Sequence, residues 1–357
     1  MNRIHKIIST FNKLSLDGLL VSNASNVRYL SSFTGEASIL LITEYETTLI
    51  TDQRYIEQAQ QECPNIKVIL WDKNVRYGCE TYQNLINIYN IHKLGIEAND
   101  ISLTSYESLK NNLTNVDLII TKGLVEQERL IKDESEIQDL KLACEITDLA
   151  LEKTFPNIKR GVTEIEIAAQ LEYNLRTSGA DNISFETLLQ TGKRTSLLHG
   201  KPSNCKIQEG DFLLFDFGAM INSYHADVSR TLVVGKPSDK QRELYGIIYE
   251  CQQTIVREIK DGVHISHINN IINNTIPDKY KEYFYHGYGH GVGLEIHEEP
   301  FLKMGADFVF QKGMVVTIEP GIYMPNWGGL RIEDTILVNE QNADALSNFN
   351  RKLIVIK

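Results

Sequence analysis

The chain lacks the marks of several common function classes. No apolar run approaches the roughly 20 residues that cross a bilayer, and the N-terminus, MNRIHKIISTFNKLSLDGLL, alternates polar and apolar residues instead of building a signal-peptide core. A cytoplasmic protein without membrane contact is expected. Five cysteines, Cys63, Cys79, Cys144, Cys205 and Cys251, are an odd number with no C-x-x-C among them. They fit reduced, mostly core thiols and not a disulfide frame or zinc ribbon. The formal net charge is −11 and no local basic patch interrupts it, so the counterion-release drive toward nucleic acid is missing. Low-complexity tracts, solenoid repeats and a P-loop-like phosphate cradle are absent as well. Without an H-R-D catalytic loop, Asp216-Phe217-Gly218 carries no kinase meaning.

A length of 357 residues implies about two domains with large cores. From Asp17 to about Ile120, the apolar runs GLLVS, SILLIT, TTLIT, KLGIE and VDLIIT alternate with helical stretches, which predicts an α/β domain over residues 1–125. Residues 121–130 read as the link to a second domain, 126–357. A helix opening that domain is predicted after Asp133, with Glu136 completing a capping box and Ile137, Leu140, Cys144 and Leu151 at helical spacing. Further helices are expected over Thr163 to Ser178, with a Thr163/Glu166 box and Gly179 as terminator, and over about Ser238 to Lys260. Strand-rich blocks fill the remainder.

Two of those blocks carry acids where acids do not belong. In DFLLFDFGAMINSYHADVSRTLVVG, residues 211–235, a turn at Ile221-Asn222 would place Asp216 directly opposite Asp227, with Cβ atoms roughly 5 Å apart. Like charges so placed repel, and an ionised aspartate in so apolar a strand costs several kcal/mol unless compensated. A divalent cation would compensate both; the alternative is that Asp216 sits at a strand end in water. In MVVTIEPGIYMPNWGGLRIEDTILV, residues 314–338, a loop centred on Asn326 would likewise oppose Glu319 and Glu333, with Arg331 on the same strand face as Glu333.

Between these blocks, YHGYGHGVGLEIHEEP holds His286, His290 and His297 among four glycines. His297-Glu298 has no second histidine four residues on, so this is not HExxH, and the glycine spacing does not fit GxGxxG. His290 is the expected nitrogen ligand, with Gly289 and Gly291 letting backbone pass close to a crowded centre. Four carboxylates and one imidazole suit two divalent ions about 3.5–4 Å apart. Mn, Co or Zn fits that donor set better than Ca.

These residues resemble the pita-bread metallopeptidases of the creatinase, aminopeptidase P and prolidase family. NVRYLSSFTG and ITDQRYIEQA are similar to the family's N-terminal domain, and LLHGKPS, LLFDFGAMINSYHADVSRT, HGYGHGVGLEIHE, TIEPGIY and GGLRIEDT to its catalytic domain. The resemblance implies a creatinase-like, ribonuclease H-like α/β domain followed by an α+β pita-bread domain. It implies the metal ligands Asp216, Asp227, His290, Glu319 and Glu333, with Asp227 and Glu333 bridging two ions, Mn foremost and Co or Zn as alternatives. Glu319 also corresponds to the residue that shuttles the proton of a bridging water. His199, His286 and His297 correspond to substrate- and oxyanion-binding positions, and Arg331 to an arginine that orients a bridging acid.

The implied activity is an Xaa-Pro aminopeptidase acting on proline-containing peptides, with an Xaa-Pro dipeptidase as the alternative and a non-catalytic peptide-binding module behind both. Relatives commonly form homodimers. Prolidases hold the dipeptide carboxylate and often place a basic residue near the stretch after HEEP. Here Phe301 follows Pro300, with Lys303 the nearest cation, which favours longer peptides.

Overall fold

Six strands build the N-terminal sheet: β1 (Gly18–Val21), β2 (Ser38–Thr43), β3 (Thr47–Thr51), β4 (Lys67–Leu70), β5 (Lys93–Glu97) and β6 (Asp117–Thr121), in the order β4-β3-β2-β1-β5-β6. The computed structural model describes residues 3–71, 79–285 and 287–357, and the chain divides into the units Met1–Arg129 and Leu130–Lys357. In the first unit β1, β2 and β3 form an antiparallel meander. The remaining three strands add in parallel, each through a crossover that contains a helix, as parallel pairing requires. All six residues of β2 are buried, the signature of a central strand covered on both faces. The helix Ala24–Ser31 begins at Asn23, whose side chain accepts from the Asn26 amide at 2.9 Å. Leu20, Ile39, Leu41, Ile50, Leu94 and Ile96 supply the sheet's share of the core on one face, and Leu19, Leu40, Ile42 and Leu49 are buried on the other.

The second unit opens with the helix Glu134–Thr154. Asp133 accepts from the Glu136 amide at 3.0 Å while Glu136 accepts from the Asp133 amide at 2.8 Å. Thr163 and Glu166 cap Glu164–Thr177 in the same reciprocal way, and the chain leaves that helix through Gly179 at φ 115°. A third reciprocal pair, Ser238 with Gln241, starts Asp239–Glu258; the sequence reading did not include it. Each cap stabilises its helix by about 1 kcal/mol. Leu244, Ile248, Cys251 and Ile255 from that helix pack with Ile265, Ile268 and Ile272 of the helix Ile265–Thr275. Cys63, Cys144 and Cys251 are buried free thiols and Cys205 is exposed. No helix among the described residues is long and apolar enough to cross a membrane.

Fourteen further strands follow: β7 (Asn182–Ile183), β8 (Leu188–Thr191), β9 (Phe212–Phe217), β10 (Ala219–Ile221), β11 (Tyr224–His225), β12 (Val228–Val234), β13 (Gly287–Gly291), β14 (Glu298–Lys303), β15 (Val315–Ile318), β16 (Gly321–Met324), β17 (Gly328–Arg331), β18 (Asp334–Val338), β19 (Ala343–Ala345) and β20 (Ile354–Ile356). They form sheets ordered β11-β10-β7, β20-β12-β9-β8, β14-β13-β15-β18-β19 and β16-β17.

The first acid-bearing hairpin turns one residue later than the sequence suggests. Ile221 pairs with Tyr224, and Asn222 (φ 49°) with Ser223 (φ 65°) makes a two-residue left-handed turn. Asn tolerates that conformation and β-branched Ile221 does not. Asp216 therefore stands opposite Ser229, not opposite Asp227. Moving the centre by one residue moves each partner by two, so Asp227 keeps the expected face and lies diagonal to Asp216. In the second hairpin the ladders Val315↔Leu337 to Ile318↔Asp334 and Gly321↔Arg331 to Met324↔Gly328 share a centre at Asn326, which has φ 65°. Glu319 and Glu333 fall at matching register positions in the gap between those ladders.

Candidate metal centre

Strand ends from two sheets deliver the ligands to one place. Asp216 comes from β9, Asp227 from the residue before β12, His290 from β13, Glu319 from just after β15 and Glu333 from just before β18. All five line a cavity of about 690 Å³, together with His199, His297, Tyr323 and Arg331. His286, also expected at the site, lies outside the described residues. Asp227, His290 and Glu333 are buried, and one ligand atom from each lies within 4.8 Å of the others. His290 Nε2 is 3.4 Å from Asp227 Oδ2 and 3.7 Å from Glu319 Oε1. Beside His290, a Cβ at Gly289 would lie 2.2 Å from the Thr317 carbonyl oxygen, and one at Gly291 would lie 2.2 Å from that of Glu299. The glycines thus let the neighbouring strands close on β13, and that packing fixes the imidazole.

The donor set fits a pair of divalent cations on observations of the protein alone. Asp216, Asp227, Glu319 and Glu333 share the cavity wall with a single guanidinium, Arg331, and the buried Oδ1 atoms of Asp216 and Asp227 have no hydrogen-bond partner, an expensive state for isolated anions. Burial first, then the charges of Asp216 and Glu319, raise Asp227 well above the usual carboxylate range. Burial and then Asp227 do the same to Glu333. Glu319 is also raised, chiefly by burial. His290 Nδ1 lies 3.0 Å from the Gly291 carbonyl, which only accepts, so Nδ1 carries the proton and Nε2 turns its lone pair into the space beside the acids, where a cation would accept it.

A surrounding set of hydrogen bonds aims these ligands. Arg331 donates through Nη2 to Asp216, through Nε to Ser229 Oγ at 2.6 Å and through Nη1 to the Tyr323 hydroxyl at 2.7 Å. The Ser229 hydroxyl in turn donates to Glu333 Oε2 at 2.6 Å. Arg331 therefore contacts one acid directly and a second through Ser229. Burial works against its charge, yet Asp216 and the other acids hold Arg331 well above its ordinary pKa. Thr335 Oγ donates to the Asp227 carbonyl at 2.9 Å, and Thr317 Oγ accepts from the His290 amide at 3.2 Å. The His297 ring lies 4.4 Å from that of His290, centroid to centroid. Enclosure in the cavity, followed by neighbouring His290, lowers its pKa and keeps the imidazole neutral near pH 7.

Sequence reasoning missed Ser229, Tyr323 and Thr335. Period-2 alternation could have found all three: Ser229 follows Asp227 by two residues, Thr335 follows Glu333 by two, and Tyr323 follows Glu319 by four.

Family comparisons agree with this architecture. Residues 138–340 match the model of metallopeptidase family M24, and residues 3–131 match the creatinase/prolidase N-terminal domain. An Xaa-Pro dipeptidase of Pyrococcus horikoshii is 36% identical over 99% of this chain and 98% of its own length. The solved structure of an Xaa-Pro dipeptidase from Bacillus anthracis superposes with a TM-score of 0.94 at 39% identity, covering 99% of both chains. An X-Pro aminopeptidase structure from Thermotoga maritima gives 0.91 at 34% identity over 100% of both. The chain belongs to metallopeptidase family M24, as a metallo-exopeptidase with a creatinase-type N-terminal domain ahead of a pita-bread catalytic domain.

Proposed function

We propose that the protein is an Xaa-Pro dipeptidase that works with two divalent metal ions, Mn foremost and Co or Zn as alternatives. The observation that carries the two-metal reading is the convergence of Asp216, Asp227, His290, Glu319 and Glu333 on one cavity with carboxylate oxygens left without partners. In this reading Asp216, Asp227, His290, Glu319 and Glu333 would hold the ions, with Asp227 and Glu333 the acids that would be shared between them. Bound cations would supply a water of lowered pKa and polarise the scissile carbonyl.

The chain's own groups then have definite tasks. Glu319, whose side chain is 25% exposed, is the most open of the buried-type acids and takes and returns the proton. Neutral His297 donates a hydrogen bond to the carbonyl oxygen as it gains charge. Proline has no N–H to read, so Phe185, Leu198, Tyr285, Ile296 and Phe301 along the wall recognise the substrate by shape.

Relatives named Xaa-Pro dipeptidase, matched along nearly their whole length, support the dipeptide reading over the aminopeptidase that Phe301 suggests. One observation favours the second reading. Phe301 lines the cavity opposite His290, and Arg331, already engaged, is the one lysine or arginine among the described lining residues. Comparing Ala-Pro with Ala-Pro-Ala at equal Mn loading tests this: higher kcat/KM is expected on the dipeptide, and preference for the tripeptide would make the protein an aminopeptidase. A homodimer is part of the proposal, and sedimentation that returns monomer alone at micromolar concentration would contradict it.

A further inference from the structure

Behind the carboxylates lies a second set of buried charges that the proposed reaction does not use. Strand alternation turns Ser229 toward Glu333 and sends their neighbours Arg230 and Asp334 to the opposite face. Arg230 is 1% exposed and Asp334 fully buried, and the two pair at 2.6 Å. The Arg230 guanidinium also donates to the backbone carbonyls of Ser229, at 2.9 Å, and of Glu333. One side chain thus grips the main chain of both residues that meet at the acid centre.

The C-terminal segment completes this clamp. Phe349 offers its carbonyl to Arg230 at 3.0 Å, and Ser347 Oγ donates to Asp334 at 2.6 Å. Arg351 donates to the second oxygen of Asp334, which also accepts from Gln252 at 2.7 Å. Just upstream, the Leu346 amide bonds the carbonyl of Thr335, whose hydroxyl holds Asp227. Beyond Arg351, β20 pairs in parallel with β12. So the segment is tied down on both sides of the clamp.

We infer that Arg230, Asp334 and the C-terminal residues Ser347 to Arg351 are positioning residues for the metal centre, fixing Glu333 and Ser229 so that the site holds its cations. A buried ion pair is poor evidence of stabilisation for its own sake, because desolvation offsets most of the attraction. Here both partners sit one residue from groups that must be aimed, which gives the pair a directional task. The inference rests on the two-metal reading of the site.

Mn²⁺ titration of chelator-stripped full-length protein by calorimetry, alongside thermal unfolding with and without Mn²⁺, tests it. Arg351→Ala and Ser347→Ala leave Asp334 paired with Arg230; Arg230→Lys keeps the charge but loses the fork that reaches three carbonyls and a carboxylate. Mn²⁺ binding weakened about tenfold in Arg351→Ala is expected, with a smaller rise in Tm on adding Mn²⁺ and partial rescue in Arg351→Lys. Excess Mn²⁺ should restore kcat with KM unchanged. A role confined to general stability would lower Tm equally with and without the ion and leave Mn²⁺ affinity at the wild-type value. That result in Arg351→Ala and Ser347→Ala overturns the inference, whether or not Arg230→Lys folds. Wild-type protein that binds no Mn²⁺ would instead refute the two-metal reading itself.

Discussion

Arg331 donates directly to Asp216 across the cavity and, through its Nε at 2.6 Å, to the Ser229 hydroxyl that holds Glu333. One planar cation thereby orients two acids and partly neutralises the cluster. Arg331→Met should reduce metal affinity and turnover by about 10- to 100-fold. Arg331→Lys should recover little, since an ammonium cannot span three acceptors in a fixed fork. Metal content by elemental analysis beside kcat/KM checks this; a methionine variant with wild-type metal content and rate would remove Arg331 from the site's working parts.

Glu333 and His297 should separate metal binding from chemistry. Glu333→Ala removes a ligand proposed to be shared, so metal occupancy and turnover should fall together. His297→Ala should keep its metal and lose about two to three orders of magnitude in rate, the scale of one oxyanion donor. Metal loss in the histidine variant would make His297 a ligand. Full occupancy in the glutamate variant would deny Glu333 its bridging place.

Metal uptake should release protons. Burial and mutual repulsion raise Asp227, Glu333 and Glu319 above the ordinary carboxylate range, so the metal-free centre retains protons that a cation must displace. Affinity should weaken as pH falls toward the acid range. Calorimetry in two buffers of different ionisation enthalpy would reveal the release, and identical binding enthalpies in both would contradict it.

Asp148, which accepts from the Asn348 amide of the C-terminal segment, gives a stability signature. Burial pushes its carboxyl up to about 6, with hydrogen bonds from the Asn348 and Phe349 amides pulling the other way. The folded state thus binds more protons than the unfolded between about pH 4 and 6. Stability from this group is fully present below pH 4 and is lost as pH rises through about 6, a change on the order of 3 kcal/mol. Asp148→Asn should be the more stable protein at pH 7.5 and lose that advantage by pH 4. A Tm difference that stays constant across this range would show the carboxyl to be unshifted.

Much of this was legible in the sequence, for identifiable reasons. SILLIT and KLGIE announce themselves as apolar runs, Asp133/Glu136 and Thr163/Glu166 as capping boxes, and Pro325 with Gly328-Gly329 marks the second hairpin well enough to fix its register. The first hairpin turns at Asn222-Ser223 with no glycine or proline to mark it, and the expected centre fell one residue short. β4, KVIL, is short and only half buried, so its pattern is weak. Arg230 stayed hidden for another reason: its partner Asp334 lies 104 positions away, and strand alternation puts Arg230 on the face opposite Asp227 and Ser229.

The most direct measurement is hydrolysis of Ala-Pro by protein stripped with chelator, before and after Mn²⁺ is returned, with bound metal counted in both states. Stripped protein should release no free proline, and activity should return as about two ions bind per chain. Full activity in metal-free protein, or two bound ions without cleavage of any Xaa-Pro peptide, would contradict the account.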